Sequence, residues 1–171
     1  MTVGGNLLYY PFDVYTPNVD LTTAKLMINS TVSTHAARCL ISNIKDFYLN
    51  TVMERYEYMR IHISIISQEI VNQYNLLDLI NENCWVYINI QKGMYGLPQS
   101  GIIVNKQLTK HLVPFGYCPV LHTPELWNHD TSPPLFFTLV VDDFLFRYEN
   151  VAHATHVLNA LRAAYPITTN W

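Results

Sequence analysis

The sequence predicts an α+β fold, and three observations carry that reading. Residues 136–146 (FFTLVVDDFLF) set two runs of β-branched, aromatic and aliphatic residues around an Asp-Asp pair, the pattern of a strand, a tight turn and a second strand. Stretches with apolar residues at helical spacing lie before and after that hairpin. Half of the 171 residues are hydrophobic and only 13% are charged, which suits one domain with a real core and argues against disorder.

Each element follows in turn. Residues 1–20 carry Gly4, Gly5, Pro11 and Pro17 around Leu7-Leu8-Tyr9-Tyr10, and read as a short strand and loops continuing something that begins earlier. Asp20 suits a helix cap, and Leu21, Ala24, Met27, Ile28 and Val32 recur on one packing face. Residues 37–43 (ARCLISN) read as a buried strand running into the polar and aromatic cluster of residues 44–49. Residues 56–61 are extended and amphipathic, Ser67 is placed to cap a short helix, and residues 85–90 (WVYINI) read as a strand.

Residues 92–101 (KGMYGLPQSG) combine Gly93 and Gly96, which permit close backbone approach to a ligand, with Pro98, which suits a first helical turn. The helix continues through Ile102, Ile103, Leu108 and Leu112. With Lys92 and Gln99 nearby, such a loop can face a phosphate or a base, or be a plain strand-to-helix connection. Residues 115–120 and 125–129 lead back toward the hairpin, with Pro133-Pro134 as punctuation before it. A last helix over residues 151–164 has Val151, Ala154, Leu158 and Leu161 on one face.

Charge and cysteine usage narrow the class. The net charge of −3 leaves no overall basic footprint of the kind nucleic-acid binders carry. Cys39, Cys84 and Cys118 are odd in number and widely spaced, which reads as reduced, buried thiols of an intracellular protein. The first residues do not form a signal peptide, no apolar run is long enough to span a membrane, and Asn29-Ser30-Thr31 without a secretory signal carries no weight. Cys118, His122 and His129, and separately His153 and His156, have loosely metal-like spacing, but neither set matches a zinc pattern.

Asp142 and Asp143 are the candidate chemical centre. Two carboxylates held side by side on a buried hairpin repel each other and invite a divalent cation. Magnesium takes such hard oxygen ligands, and a pair of ions drives phosphoryl transfer. The plainer alternative is an Asp-Asp turn on an ordinary hairpin.

The order of segments then matters: a strand ending in a polar cluster, Tyr58-Met59-Arg60, Tyr95-Gly96-Leu97-Pro98-Gln99 opening a helix, and Val141-Asp142-Asp143. Together, over residues 3–171, they resemble the reverse transcriptase domain of copia-type retrotransposons. The resemblance implies a single domain of the right-hand polymerase kind over residues 1–171, an antiparallel palm sheet with helices packed on one face plus part of the fingers. It implies an RNA-directed DNA polymerase using two Mg2+ ions, one activating the primer 3′-hydroxyl and one on the triphosphate. Asp142 and Asp143 are then metal ligands, Tyr48 the aromatic under the incoming sugar, and Gln99 the amide touching nucleotide and template. Gly93 and Gly96 lie against the nascent base pair, and Lys92 belongs to the nucleotide-binding set. The implied partners are an RNA or DNA template with primer, deoxynucleoside triphosphates and the rest of a polyprotein, with no membrane. The implied setting is the cytoplasm, a virus-like particle or the nucleus.

One departure is central. The first-strand aspartate of that family falls at position 43, and this chain has Asn43. A neutral amide there removes a full charge from a site for two dications. That is a loss on the order of several kcal/mol of metal and transition-state stabilisation. Asp46, three residues on, is aimed elsewhere by a strand-to-turn path, and Asn170 reads as a second Asp-to-Asn change. The basic fingers strand expected before residue 1, and the thumb and ribonuclease H regions expected after residue 171, are not in the sequence. The competing readings are an active polymerase domain, a catalytically dead retroelement relic or weak nucleic-acid-binding module, and a non-enzymatic interaction module on the same scaffold.

Overall fold

A computed structural model of the chain describes residues 9–11, 14–131 and 135–170. The readings made on residues 1–8, on Pro133-Pro134 and on Trp171 lie outside the described residues. The chain divides into two compact units, residues 1–9 with 48–100, and residues 10–47 with 101–171.

The larger unit is a mixed α+β body. Its sheet has six antiparallel strands: β1 (Arg38–Ile44), β4 (Tyr117–Pro119), β5 (Leu126–His129), β6 (Leu135–Val140), β7 (Asp143–Tyr148) and β8 (Ile167–Asn170). Their order across the sheet is β4-β5-β6-β7-β1-β8. Alternation sorts the side chains onto two faces. Leu40, Ser42 and Ile44 of β1, Phe144 and Phe146 of β7, Phe137 and Leu139 of β6, and Trp127 and Tyr117 point to one face and are buried. Helix α4 (Val151–Arg162) covers that face, where Tyr117 Oη meets His156 Nδ1 at 2.7 Å. Helix α3 (Ser100–Leu112) is tied to α4 by His111 Nε2 donating to the Ala160 carbonyl at 2.6 Å. Its Ile103, Val104, Leu108 and Leu112 are buried.

Helix α1 (Leu21–Ser33) is capped by Asp20, which accepts from Thr23 N at 2.8 Å, as its sequence predicts. It lies on the opposite face, where Cys39 Sγ meets Thr31 Oγ1 at 3.2 Å. Helices are therefore not confined to one face, contrary to the expectation. The α1 packing face is also narrower than its periodicity implies: Met27 is buried, whereas Leu21, Ile28 and Val32 are exposed. Helical spacing shows that a face exists, and only tertiary neighbours decide whether it is covered. Val151 likewise lies exposed, and the buried positions of α4 are Ala154, Val157, Leu158, Ala160 and Leu161.

The smaller unit is an antiparallel ribbon of β2 (Val52–His62) and β3 (Trp85–Lys92). Helix α2 (Gln68–Gln73) and two 3-10 turns, Ile63–Ile65 and Leu76–Leu79, lie in the connection between the strands. Val71, Leu76 and Val86 form the core, with Ile63, Ile66, Ile80 and Ile88 packed on it. Ser67 is the N-cap residue of α2 but makes no side-chain capping bond. Of the three cysteines, Cys84 and Cys118 are exposed and Cys39 is half-buried, so the expectation of buried thiols fails. Cys84 sits at φ +60° in the turn before β3, where the backbone's path and not apolarity fixes its place.

Among the described residues, no helix is long and apolar enough to cross a membrane.

Candidate functional site at the acidic hairpin

The hairpin closes at Val140 opposite Asp143, which leaves Val141-Asp142 as a two-residue turn. The tip is thus Val141 and Asp142, and Asp143 is already the first residue of β7. Val141 has φ +60°. Two-residue hairpin turns favour glycine at such a position, and a β-branched residue there is a strained outlier. The apolar strands hold it: Phe144 and Phe146 stack at 5.7 Å with their planes 9° apart, and both are buried.

That burial decides where the acids point. With Phe144 and Phe146 inward, Asp143 faces the other side of the sheet. On β1, Leu40, Ser42 and Ile44 are buried, so Asn43 faces the same side, and the register sets it directly opposite Asp143. Asn43 Nδ2 donates to Asp143 Oδ1 at 2.9 Å. The next rung is the Ile44 N–H donating to the Asp142 carbonyl at 2.9 Å. Ser42 Oγ donates to the Thr168 carbonyl at 2.9 Å and ties β1 to β8. The structure thus sets the Asn43 side chain against Asp143, with the backbone of Asp142 on the neighbouring rung. Asp143 is exposed and Asn43 half-buried, and on their face Ile41 and Val140 are open to solvent. Asp46 sits at φ +54°, exposed, in the turn after β1.

Whether these groups suit divalent cations follows from the donor set. A hard cation needs converging carboxylate oxygens. Position 43 instead meets Asp143 as a hydrogen-bond donor, and its N–H takes up a lone pair that an ion would use. Among the described residues, no three His, Cys, Asp or Glu side chains gather as metal ligands. The residues as arranged do not fit a two-ion centre, and no step through magnesium follows from them.

The remaining candidates lie in the smaller unit. Tyr48 packs edge-on against Tyr95 with ring centroids 4.8 Å apart. Gly93 lies so close to the chain that a Cβ there would fall 2.8 Å from the Tyr48 carbonyl oxygen, and its N–H donates to the Thr51 carbonyl at 2.8 Å. Gly96 has φ +95°, a conformation that favours glycine. Met94 N–H donates to Ser100 Oγ at 3.2 Å, closing the loop ahead of α3, and Pro98 lies in the turn before the helix and not within its first turn. Gln99 is buried at 1% exposure, and its Nε2 donates to Glu57 Oε1 at 2.9 Å. Its Oε1 is buried without a hydrogen-bond partner. Lys92 is exposed at the end of β3, opposite Val52.

Glu57 is the residue here that sequence reasoning did not single out, and Tyr95 and Val141 stood in its motifs without a role of their own. Glu57 sits in an alternating strand like any solvated acid, and nothing in its neighbours points to Gln99. For Val141 a signal existed: two strands separated by two residues force a tight turn, whatever residues stand there.

No family model matches the chain, and no curated protein matches it. Among solved structures, it is similar to telomerase from Candida albicans in complex with a TWJ fragment of telomeric RNA. The TM-score is 0.46 and the identity 11%, over 94% of this chain and 32% of that one. It is similar to apo telomerase from Candida tropicalis truncated from the C-terminal domain, with TM-score 0.43 and 12% identity over 87% of this chain and 34% of that one. A Candida tropicalis telomerase in complex with a TWJ fragment of telomeric RNA gives TM-score 0.41 and 10% identity over 87% and 28%. The chain spans about a third of the length of these structures.

Proposed function

We propose that the chain is a reverse transcriptase-type polymerase domain of the copia class whose nucleotidyl-transfer centre is disabled at position 43. The sequence order of Tyr58-Met59-Arg60, Tyr95-Gly96-Leu97-Pro98-Gln99 and Val141-Asp142-Asp143 supports the class. In this reading the six-stranded sheet is the palm, and the β2–β3 unit is part of the fingers. The partners are a primed RNA or DNA template, deoxynucleoside triphosphates and the rest of a polyprotein.

The observation that carries the loss of activity is the Asn43–Asp143 hydrogen bond. In the family pattern two carboxylates meet at this rung, and a cation must relieve their repulsion. Here an amide relieves it from within the protein. Asp143 then holds a partner without an ion, and the reaction loses the charge that positions the triphosphate and the attacking hydroxyl.

The test is template-directed incorporation on a primed template with Mg2+ or Mn2+, comparing the chain with Asn43→Asp. The expected result is negligible extension by the unaltered chain and measurable extension by the variant. Incorporation by the unaltered chain at a rate near that of Asn43→Asp would overturn the proposal.

A further inference from the structure

The smaller unit buries less apolar surface than its sequence supplies. Val71, Leu76 and Val86 are buried in its core. Yet Ile65 is 72% exposed, Leu79 64%, Tyr74 61% and Ile70 45%. These are not scattered residues. All four line one groove of about 680 Å³, together with Ile61 and Ile88, which share one face of the β2–β3 ribbon. Helix α2 contributes Ile70 and Tyr74, one turn apart, and the 3-10 turn at Leu76–Leu79 contributes Leu79. Contiguous open apolar surface with a polar rim marks an interaction site.

Charge selects the guest. Glu69 directly precedes Ile70, Asp78 directly precedes Leu79, and Glu82 lies three residues past Leu79; all three carboxylates are exposed. Residues 61–91 contain no lysine or arginine. The nearest guanidinium in sequence, Arg60, falls on the opposite face of the ribbon, 4.8 Å from the Trp85 ring centroid. An acidic rim repels phosphate and anionic lipid headgroups. It also repels a second copy across a twofold axis, where each carboxylate would meet its own kind. A small apolar molecule leaves the rim unused. The complement of this surface is an apolar stripe flanked by lysine or arginine, which is what a basic amphipathic helix presents. The groove offers side chains from a ribbon face and two helical segments, not a free strand edge, so its shape suits a helix rather than an added strand.

We propose that this groove docks a basic amphipathic helix of a partner protein, its apolar stripe set among Ile70, Tyr74 and Leu79 and its cations against Glu69 and Asp78. The groove belongs wholly to the smaller unit and stands whether or not position 43 disables the hairpin.

The test is fluorescence anisotropy of a labelled model peptide against the whole chain. The peptide carries leucine at i, i+3, i+4 and i+7 and lysine elsewhere over about 18 residues, long enough to hold a helix. Saturable binding is expected. A scrambled peptide of the same composition, without the stripe, and a peptide with glutamate for every lysine should each bind about ten-fold or more weakly. Ile65→Ser/Leu79→Ser trims two open side chains and should weaken binding by about ten-fold or more, with an unchanged circular dichroism spectrum. Glu69→Gln/Asp78→Asn should weaken binding and flatten its salt dependence. Leu121→Ser, at an equally open apolar residue of the larger unit, should change nothing. Absence of saturable binding, equal binding of the scrambled or acidic peptide, or full affinity in Ile65→Ser/Leu79→Ser would each overturn the proposal. Dimerisation of the unaltered chain in sedimentation equilibrium that Ile65→Ser/Leu79→Ser abolishes would assign the groove to a second copy and overturn it as well.

Discussion

Replacing Asn43 by aspartate turns one hydrogen bond into a confrontation of charges, and its size follows from the rung itself. Asn43 Nδ2 and Asp143 Oδ1 are 2.9 Å apart. Two unit charges at that separation repel by about 1.4 kcal/mol in bulk water and about 6 kcal/mol at the effective dielectric of a protein surface. Asp143 is exposed and Asn43 half-buried, so the repulsion lies toward the lower figure. A lost hydrogen bond to a charged group adds about 1.5–3 kcal/mol. Asn43→Asp without divalent ions should therefore cost about 3–4.5 kcal/mol at neutral pH. The cost should shrink on acidification, when one proton shared by the pair removes the repulsion, so the variant's stability falls as pH rises. It should also shrink on adding millimolar Mg2+ or Mn2+. The unaltered protein should be indifferent to those ions. Urea denaturation followed by circular dichroism, in EDTA and in Mg2+, measures all of this. The reasoning fails if the unaltered protein gains as much from Mg2+ as the variant, or if the variant in EDTA matches the unaltered protein at pH 7.

Three further outcomes follow from other positions. Glu125 is 7% exposed, accepts from Asn105 Nδ2 and Trp127 Nε1, and is pushed up from the usual carboxylate value of 4.5 by burial. A carboxyl raised in the folded state adds stability below its unfolded value and loses it as pH rises through the folded one. Denaturation midpoints should fall from about pH 4.5 upward, and Glu125→Gln should remove that part of the slope. Val141→Gly should stabilise by about 0.5–1 kcal/mol by releasing the left-handed strain, while Val140→Gly in the adjoining strand should destabilise by a similar amount. Equal signs in urea melts would contradict the strain argument. Gly93→Ala should cost about 1–3 kcal/mol, because its Cβ would fall 2.8 Å from a backbone oxygen that cannot swing aside. An unchanged midpoint would show that the loop is looser than its geometry.

What the sequence revealed was local. The amphipathic pattern of β2, the aromatic and β-branched runs of β3, β6 and β7 and the Asp20 cap all come from neighbours in the chain, and the structure bears them out. What it hid was set by distant neighbours. Strand β8 is four residues, Ile-Thr-Thr-Asn, β-branched but too short to be marked off by its own sequence, and it pairs on the edge that β1 offers. The exposed side of α1 shows spacing without a partner. At the candidate site, the acid pair was legible from composition alone, and Asn43 was found only through the order of segments. That its amide would point its donor at Asp143 was not legible, because register between strands a hundred residues apart is a property of the folded sheet.

The placement of β1 has a consequence for how the chain acquires its structure. Its two hydrogen-bonding neighbours, β7 and β8, come about a hundred residues or more later in the chain. During synthesis the apolar Leu40–Ile44 stretch must wait, unpaired on both edges, until residues 143–170 have left the ribosome. The β2–β3 ribbon closes within its own forty or so residues and faces no such delay. Nascent-chain truncations ending before residue 143 should therefore carry an ordered ribbon beside a sticky, chaperone-seeking strand.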